Sequence, residues 1–86
     1  LHEPDMALRA GSDGLDVVRR ILREADTHLA PGGVLVVEVG DSEERLQQAY
    51  PGVPFLWLEF EHGGGGVFLL TKDDLRRHRH ELSRAS

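Results

Sequence analysis

Gly32-Gly33-Val34-Leu35-Val36-Val37-Glu38-Val39-Gly40 is a near-unbroken apolar run, rich in β-branched residues and closed by glycine at both ends. It is too short for a free-standing helix and lacks polar/apolar alternation, so it reads as a strand covered on both faces. Upstream, Leu15, Val18, Ile21, Leu22, Ala25 and Leu29 recur at helical spacing, with Arg19, Arg20, Arg23 and Glu24 on the opposite side. Asp13 is placed to cap that helix and Pro31-Gly32-Gly33 to stop it, which predicts a helix over 13–29. Downstream, Asp41 or Ser42 can cap a second helix that runs through Leu46 and Ala49 to Tyr50. Its first turn has Glu43 and Glu44 set favourably against the helix dipole, and Pro51-Gly52 ends it. Helix, buried strand, helix is the grammar of an open α/β sheet, in which ligands bind beyond the carboxyl ends of the strands. A site is therefore expected between Glu38 and Ser42.

Residues 1–12 carry a proline and a glycine and no sustained period, so they read as a loop with at most one helical turn at Asp5 to Arg9. Beyond the second helix, Pro54 to Glu61 alternates. Leu56, Leu58 and Phe60 share one face, and Phe55, Trp57, Glu59 and Glu61 the other, wetter one. Gly63-Gly64-Gly65-Gly66 then leads directly into a second apolar strand, Val67 to Thr71. Glycine supplies the positive φ angles of tight turns, so the pair predicts an antiparallel hairpin. Asp73 can cap a last helix carrying Leu75 and Leu82 and fraying over 83–86. In this arrangement the edge from Val34 to Val39 has no neighbour, so the chain is expected to self-associate through it or to be a piece of a larger sheet.

Composition narrows the classes. A chain of 86 residues forms one domain at most and buries only about 60–65% of its unfolded surface. A net charge of −5 argues against nucleic-acid binding over the whole surface. The bases do collect near the end, at Lys72, Arg76, Arg77, Arg79 and Arg84, which suits a solvated helix or a local contact with RNA or an acidic partner. There is no cysteine, hence no disulfide and no thiolate metal site. No apolar run reaches the ~20 residues that span a bilayer, and no signal pattern opens the chain, so the expected location is the cytoplasm.

Few residues carry chemistry on their own. The four glycines lie between strands and not before a helix, which favours a turn over a phosphate loop. His78 and His80 are two apart and diverge by about 200° on a helix, so they do not form a helical metal site. Glu38 is the acid of interest: in an apolar strand a carboxylate is costly unless paired, so it needs a structural partner or a ligand.

Several strings carry a resemblance. His2-Glu3-Pro4, Ala7-Leu8, Ala10-Gly11-Ser12-Asp13-Gly14-Leu15-Asp16, Glu38-Val39-Gly40, Pro54-Phe55-Leu56-Trp57-Leu58-Glu59-Phe60 and Gly66-Val67-Phe68 stand in the order found in the HemK-type protein-glutamine methyltransferases. The Trp-Leu-Glu-Phe string and the glycine turn resemble the branch acting on a large-subunit ribosomal protein more than the release-factor branch. The resemblance implies a Rossmann-like class I methyltransferase that transfers a methyl group from S-adenosylmethionine to a glutamine side-chain amide. It implies that residues 1–86 are the C-terminal portion of one catalytic domain, without the cofactor-binding half, and inactive alone. Its final strand would insert antiparallel between the two before it. The cofactor loop, the ribose-binding acid and the Asn-Pro-Pro-Tyr motif have no counterpart here, so no catalytic, cofactor or metal residue carries over. Glu3, Pro4, Ala7, Leu8, Gly11 and Asp13, with Glu38, would frame the substrate side of the cleft. Two other classes stay open: a nucleic-acid amino-methyltransferase, and a non-catalytic ribosome- or RNA-binding module.

Overall fold

The computed structural model describes residues 2–10 and 15–84. Its sheet has four strands, β1 (Glu3–Arg9), β2 (Leu29–Glu38), β3 (Leu56–Trp57) and β4 (Val67–Thr71), in the order β1-β2-β4-β3. β1 and β2 are parallel, while β4 runs antiparallel to both β2 and β3. The helices are α1 (Asp16–Glu24), α2 (Glu43–Ala49), α3 (Lys72–Arg77) and α4 (Arg79–Arg84). The expected mixed α/β architecture is present, and so is the last strand lying between its two predecessors. Gly63, Gly64 and Gly66 have positive φ in the connection from β3 to β4, as the hairpin requires.

The side chains sort by strand register. Leu35 faces Leu70 and Val37 faces Phe68 across β2 and β4, and all four are fully buried. Val18 and Leu22 of α1, Leu46 of α2, Leu75 of α3 and Leu82 of α4 close over them in one core. The alternate residues Val34, Val36, Val67 and Leu69 are only half-buried, and Leu56 is 57% exposed. β2 is thus covered on one face, not two, because the described helices all join the core on a single side of the sheet.

Further expectations are corrected. Residues 3–9 form a strand and not a loop: the unpaired edge of β2 offers a row of backbone donors and acceptors, and satisfying it outweighs the weak strand propensity of Glu3, Pro4 and Asp5. The edge from Val34 to Val39 is therefore paired with β1, and the free edges belong to β1 and β3. Gly33 makes this possible, since a Cβ there would collide with the Pro4 carbonyl oxygen. The first helix ends at Glu24 and tightens into a 3₁₀ turn over Ala25–His28. Thr27 Oγ1 donates to the Glu24 carbonyl (2.8 Å), replacing the amide that would have continued the helix. Asp13, the expected cap, lies outside the described residues, as does Gly11.

On β3 the wetter face is the reverse of the one expected. Phe55 and Trp57 turn toward the core and stack around Phe68 at centroid distances of 4.9 and 5.6 Å, leaving Leu56 and Phe60 exposed. Aromatic area buried there outweighs the two leucines. The terminal helix is split at His78, and its cap is Thr71, not Asp73: Thr71 Oγ1 accepts from Asp74 N (2.9 Å) while Asp74 Oδ2 accepts from Thr71 N (3.1 Å), a reciprocal capping box. Among the described residues no helix is long and apolar enough to cross a membrane.

Candidate functional site at the carboxyl ends of β1 and β2

Parallel strands end on the same side, so β1 and β2 together open one rim. Their last residues, Arg9 and Glu38, are register partners, and Arg9 Nε lies 3.3 Å from Glu38 Oε1. Glu38 is expected near the carboxyl end of an apolar strand, as a buried carboxylate in need of a partner. It does stand at the strand's exit and does have a partner, but its side chain is 48% exposed and Arg9 is more exposed still.

The backbone just beyond β2 is held from two sides. Ala10 N donates to the Glu38 carbonyl (3.0 Å), and the Gly66 carbonyl accepts from both Val39 N (2.6 Å) and Gly40 N (3.3 Å). Gly40, at φ 57°, turns the chain into a 3₁₀ segment (Gly40–Ser42) that leads into α2. Ser42 is buried, and its hydroxyl accepts from Arg45 Nη2 (3.0 Å) rather than capping the helix as expected. A shallow, open cleft of about 550 Å³ results, floored by Val39 and Gly40 and walled by Arg9, Glu38, Asp41, Ser42 and Arg45. This is the place that strand topology predicts.

The walls carry two carboxylates and two guanidinium groups. Carboxylate oxygens accept from an amide N–H and guanidinium N–H groups donate to an amide carbonyl, so the lining complements a primary amide at both ends. Among the described residues the lining has no aromatic wall for a purine, and Arg9 and Glu38 already face each other, so these residues alone do not fit S-adenosylmethionine.

Of the substrate-side residues that the resemblance implies, and among the described residues, only Glu38 lines this cleft, whereas Gly11 and Asp13 lie outside the described residues. Glu3 and Pro4 lie at the opposite end of β1, where Glu3 pairs with Leu29, about 20 Å away along the strand. Ala7 pairs with Val36, and Leu8 borders a small groove with Met6 and Ile21 on the helical side. Arg9 and Arg45 were missed. Arg9 enters through a strand register that local pattern does not show, whereas Arg45, three residues after Ser42 in a helix, could have been found from helical spacing.

Known proteins resemble the chain closely. It is 50% identical over 78 residues to the ribosomal protein uL3 glutamine methyltransferase of Francisella tularensis, a match covering 91% of this chain and 25% of that protein. The proteins of the same name from Neisseria gonorrhoeae and Neisseria meningitidis are 53% identical over 75 residues, 87% of this chain and 25% of each of them. No protein-family model matches the chain, and no solved structure matches it significantly. The chain spans about a quarter of the length of the curated relatives it matches, and over nearly its whole length it is homologous to that quarter of the ribosomal protein uL3 glutamine methyltransferases.

Proposed function

We propose that this chain is the C-terminal, cleft-framing portion of a methyltransferase that moves a methyl group from S-adenosylmethionine to the side-chain amide nitrogen of a glutamine in ribosomal protein uL3. The observation that carries the reading is the 50–53% identity, sustained over about nine-tenths of the chain, to proteins bearing that name. The geometry supports it. The placement of β4 between β2 and β3 suits the closing strands of a Rossmann-like sheet, and the half-bare second face suits a sheet meant to be sandwiched.

An amide nitrogen is a weak nucleophile, and methyl transfer needs it in line with the sulfonium methyl, so positioning is the protein's main contribution. When bound, S-adenosylmethionine supplies the electrophilic methyl group. On this chain, Glu38 and Asp41 accept from the amide N–H, and Arg9 and Arg45 donate to its carbonyl. The chain is a wall of the cleft and does not enclose the cofactor.

The test is a chimera in which these residues replace the matching quarter of the Francisella relative. Transfer of labelled methyl groups to uL3 is expected from the chimera, and neither transfer nor tight S-adenosylmethionine binding from the 86-residue chain alone. A folded chimera without transfer overturns the assignment, and activity of the isolated chain overturns its role as a portion of the catalytic unit.

A further inference from the structure

We infer that a second hollow, on the far side of α2 from the cleft, docks a basic segment of the protein substrate; the inference rests on the methyltransferase reading. The hollow measures about 370 Å³ and is formed by Phe55 and Trp57 with Gln47, Tyr50 and the Pro51 and Pro54 rings. Phe55 and Trp57 are half-buried, with ring centroids 5.7 Å apart, so part of each ring remains open to a ligand.

Charge identifies the occupant. From Glu38 to Thr71 the chain has six acidic side chains and one basic, Arg45. Glu43 lies one helical turn before Gln47, which lines the hollow, and its Oε2 accepts from Gln47 Nε2 (3.4 Å); Glu59, exposed, follows Trp57 by two positions, just beyond the end of β3. Aromatic faces near carboxylates that have no cationic partner among the described residues favour a Lys or Arg whose stem lies on the rings and whose charge meets the acids. A ribosomal protein, made to contact RNA phosphates, is rich in such side chains.

The spacing ties the hollow to the cleft. Val37, Phe68 and Trp57 form one row across β2, β4 and β3, so Trp57 lies two strand spacings, about 10 Å, from the strand that ends at Glu38. Val37 and Phe68 are buried, so a bound peptide must pass over them, and this straight-line span, about three extended residues, is a minimum. The basic residue therefore stands at least three positions from the modified glutamine.

Trp57 is the chain's single tryptophan, so its fluorescence reads the hollow directly. The probe is acetyl-Gly-Ala-Gly-Gln-Ala-Gly-Lys-Ala-Gly-amide, titrated into the 86-residue chain. A saturable Trp57 signal is expected at millimolar peptide, weakening as salt rises. Replacing the peptide's lysine by glutamate abolishes it, and Glu43→Lys in the chain weakens it roughly fivefold or more with an unchanged circular dichroism spectrum. No saturable signal, an undiminished affinity in Glu43→Lys, or equal binding of a norleucine peptide overturns the docking site. The assay needs no cofactor, so its failure is separate from that of the chimera: methylation without peptide binding removes the hollow alone.

Discussion

Replacing Gly66 by alanine tests how the floor of the cleft is built. Gly66 has φ 67°, and a Cβ there would fall on the Gly40 backbone, 2.7 Å from its nitrogen and closer still to its carbonyl oxygen. Both atoms are main chain, so no side-chain rotation relieves the collision. The left-handed conformation costs alanine about 1–2 kcal/mol, and withdrawal of the Gly66 carbonyl from Val39 N and Gly40 N costs about another 1–2 kcal/mol. Gly66→Ala should therefore destabilise by about 2–4 kcal/mol, roughly a 10–25 °C fall in Tm for a domain of this size. Gly64→Ala is the control. Its φ is 86°, but the nearest atom to its added Cβ is Phe60 Cδ2 at 3.8 Å, so it bears only the conformational cost, and the gain from stiffening the unfolded chain is common to both variants. Urea unfolding followed by Trp57 fluorescence gives the two free energies, and amide exchange at Val39 and Gly40 shows whether the floor has opened. Equal midpoints for the two variants, or unchanged exchange at Val39 in Gly66→Ala, would refute the account of Gly40 and Gly66 as a locked pair.

Asp26 is nearly buried while its partner Arg79 is largely exposed, with Nη2 to Oδ2 at 2.6 Å. Arg79→Ala, which strands the carboxylate, should cost about 2–3 kcal/mol, but Asp26→Ala, which lets the arginine return to water, only about 1 kcal/mol; the opposite ranking in urea titrations removes that explanation. Burial pushes the Tyr50 hydroxyl above its ordinary value of 10.0, against the opposing pull of Arg19, and among the described residues it has no hydrogen-bond partner. The folded state thus favours the neutral phenol, a contribution fully present below pH 10 and lost as pH rises through the folded value. Tyr50→Phe should flatten stability above pH 10 without loss at pH 7, and because Tyr50 is the only tyrosine, its absorbance titration reads the group alone. Self-association should proceed through the free edge of β1, weakly, since Glu3, Asp5 and Arg9 lie along it; sedimentation independent of concentration would rule it out.

What the sequence reveals here divides by distance along the chain. The central strand, the second helix, the hairpin and the buried positions Val18, Leu22, Leu46, Leu75 and Leu82 follow from spacing within one element. The carboxyl end of β2 follows from the order of elements, and it is where the cleft lies. The pairing of β1 with β2 joins residues more than twenty positions apart, and nothing in Glu-Pro-Asp-Met-Ala-Leu-Arg announces it, because six of its seven side chains are exposed. The same is true of Arg9 beside Glu38. Around β3 the alternation is legible but the choice of face is not: charge points one way, and Phe68, an aromatic contributed by a different strand, decides it the other way. Thr71 could have been recognised: Thr-Lys-Asp-Asp places an acid three residues after a hydroxyl, and the capping box requires no more.

The cleft joins a rigid floor to compliant walls. Its floor is fixed by main-chain bonds from Ala10, Val39, Gly40 and Ser42, none of which depends on a side chain that a substrate would need. Its charged wall is the reverse: Arg9 and Glu38 meet in solvent, where an ion pair contributes about 0–1 kcal/mol. On the proposed reading, an incoming amide separates them and takes each as its own partner at little cost, while the strand ends that aim them stay in place. A buried pair would have resisted that exchange by several kcal/mol. The exposure of Glu38, which the sequence did not foretell, is thus what makes it suited to a ligand.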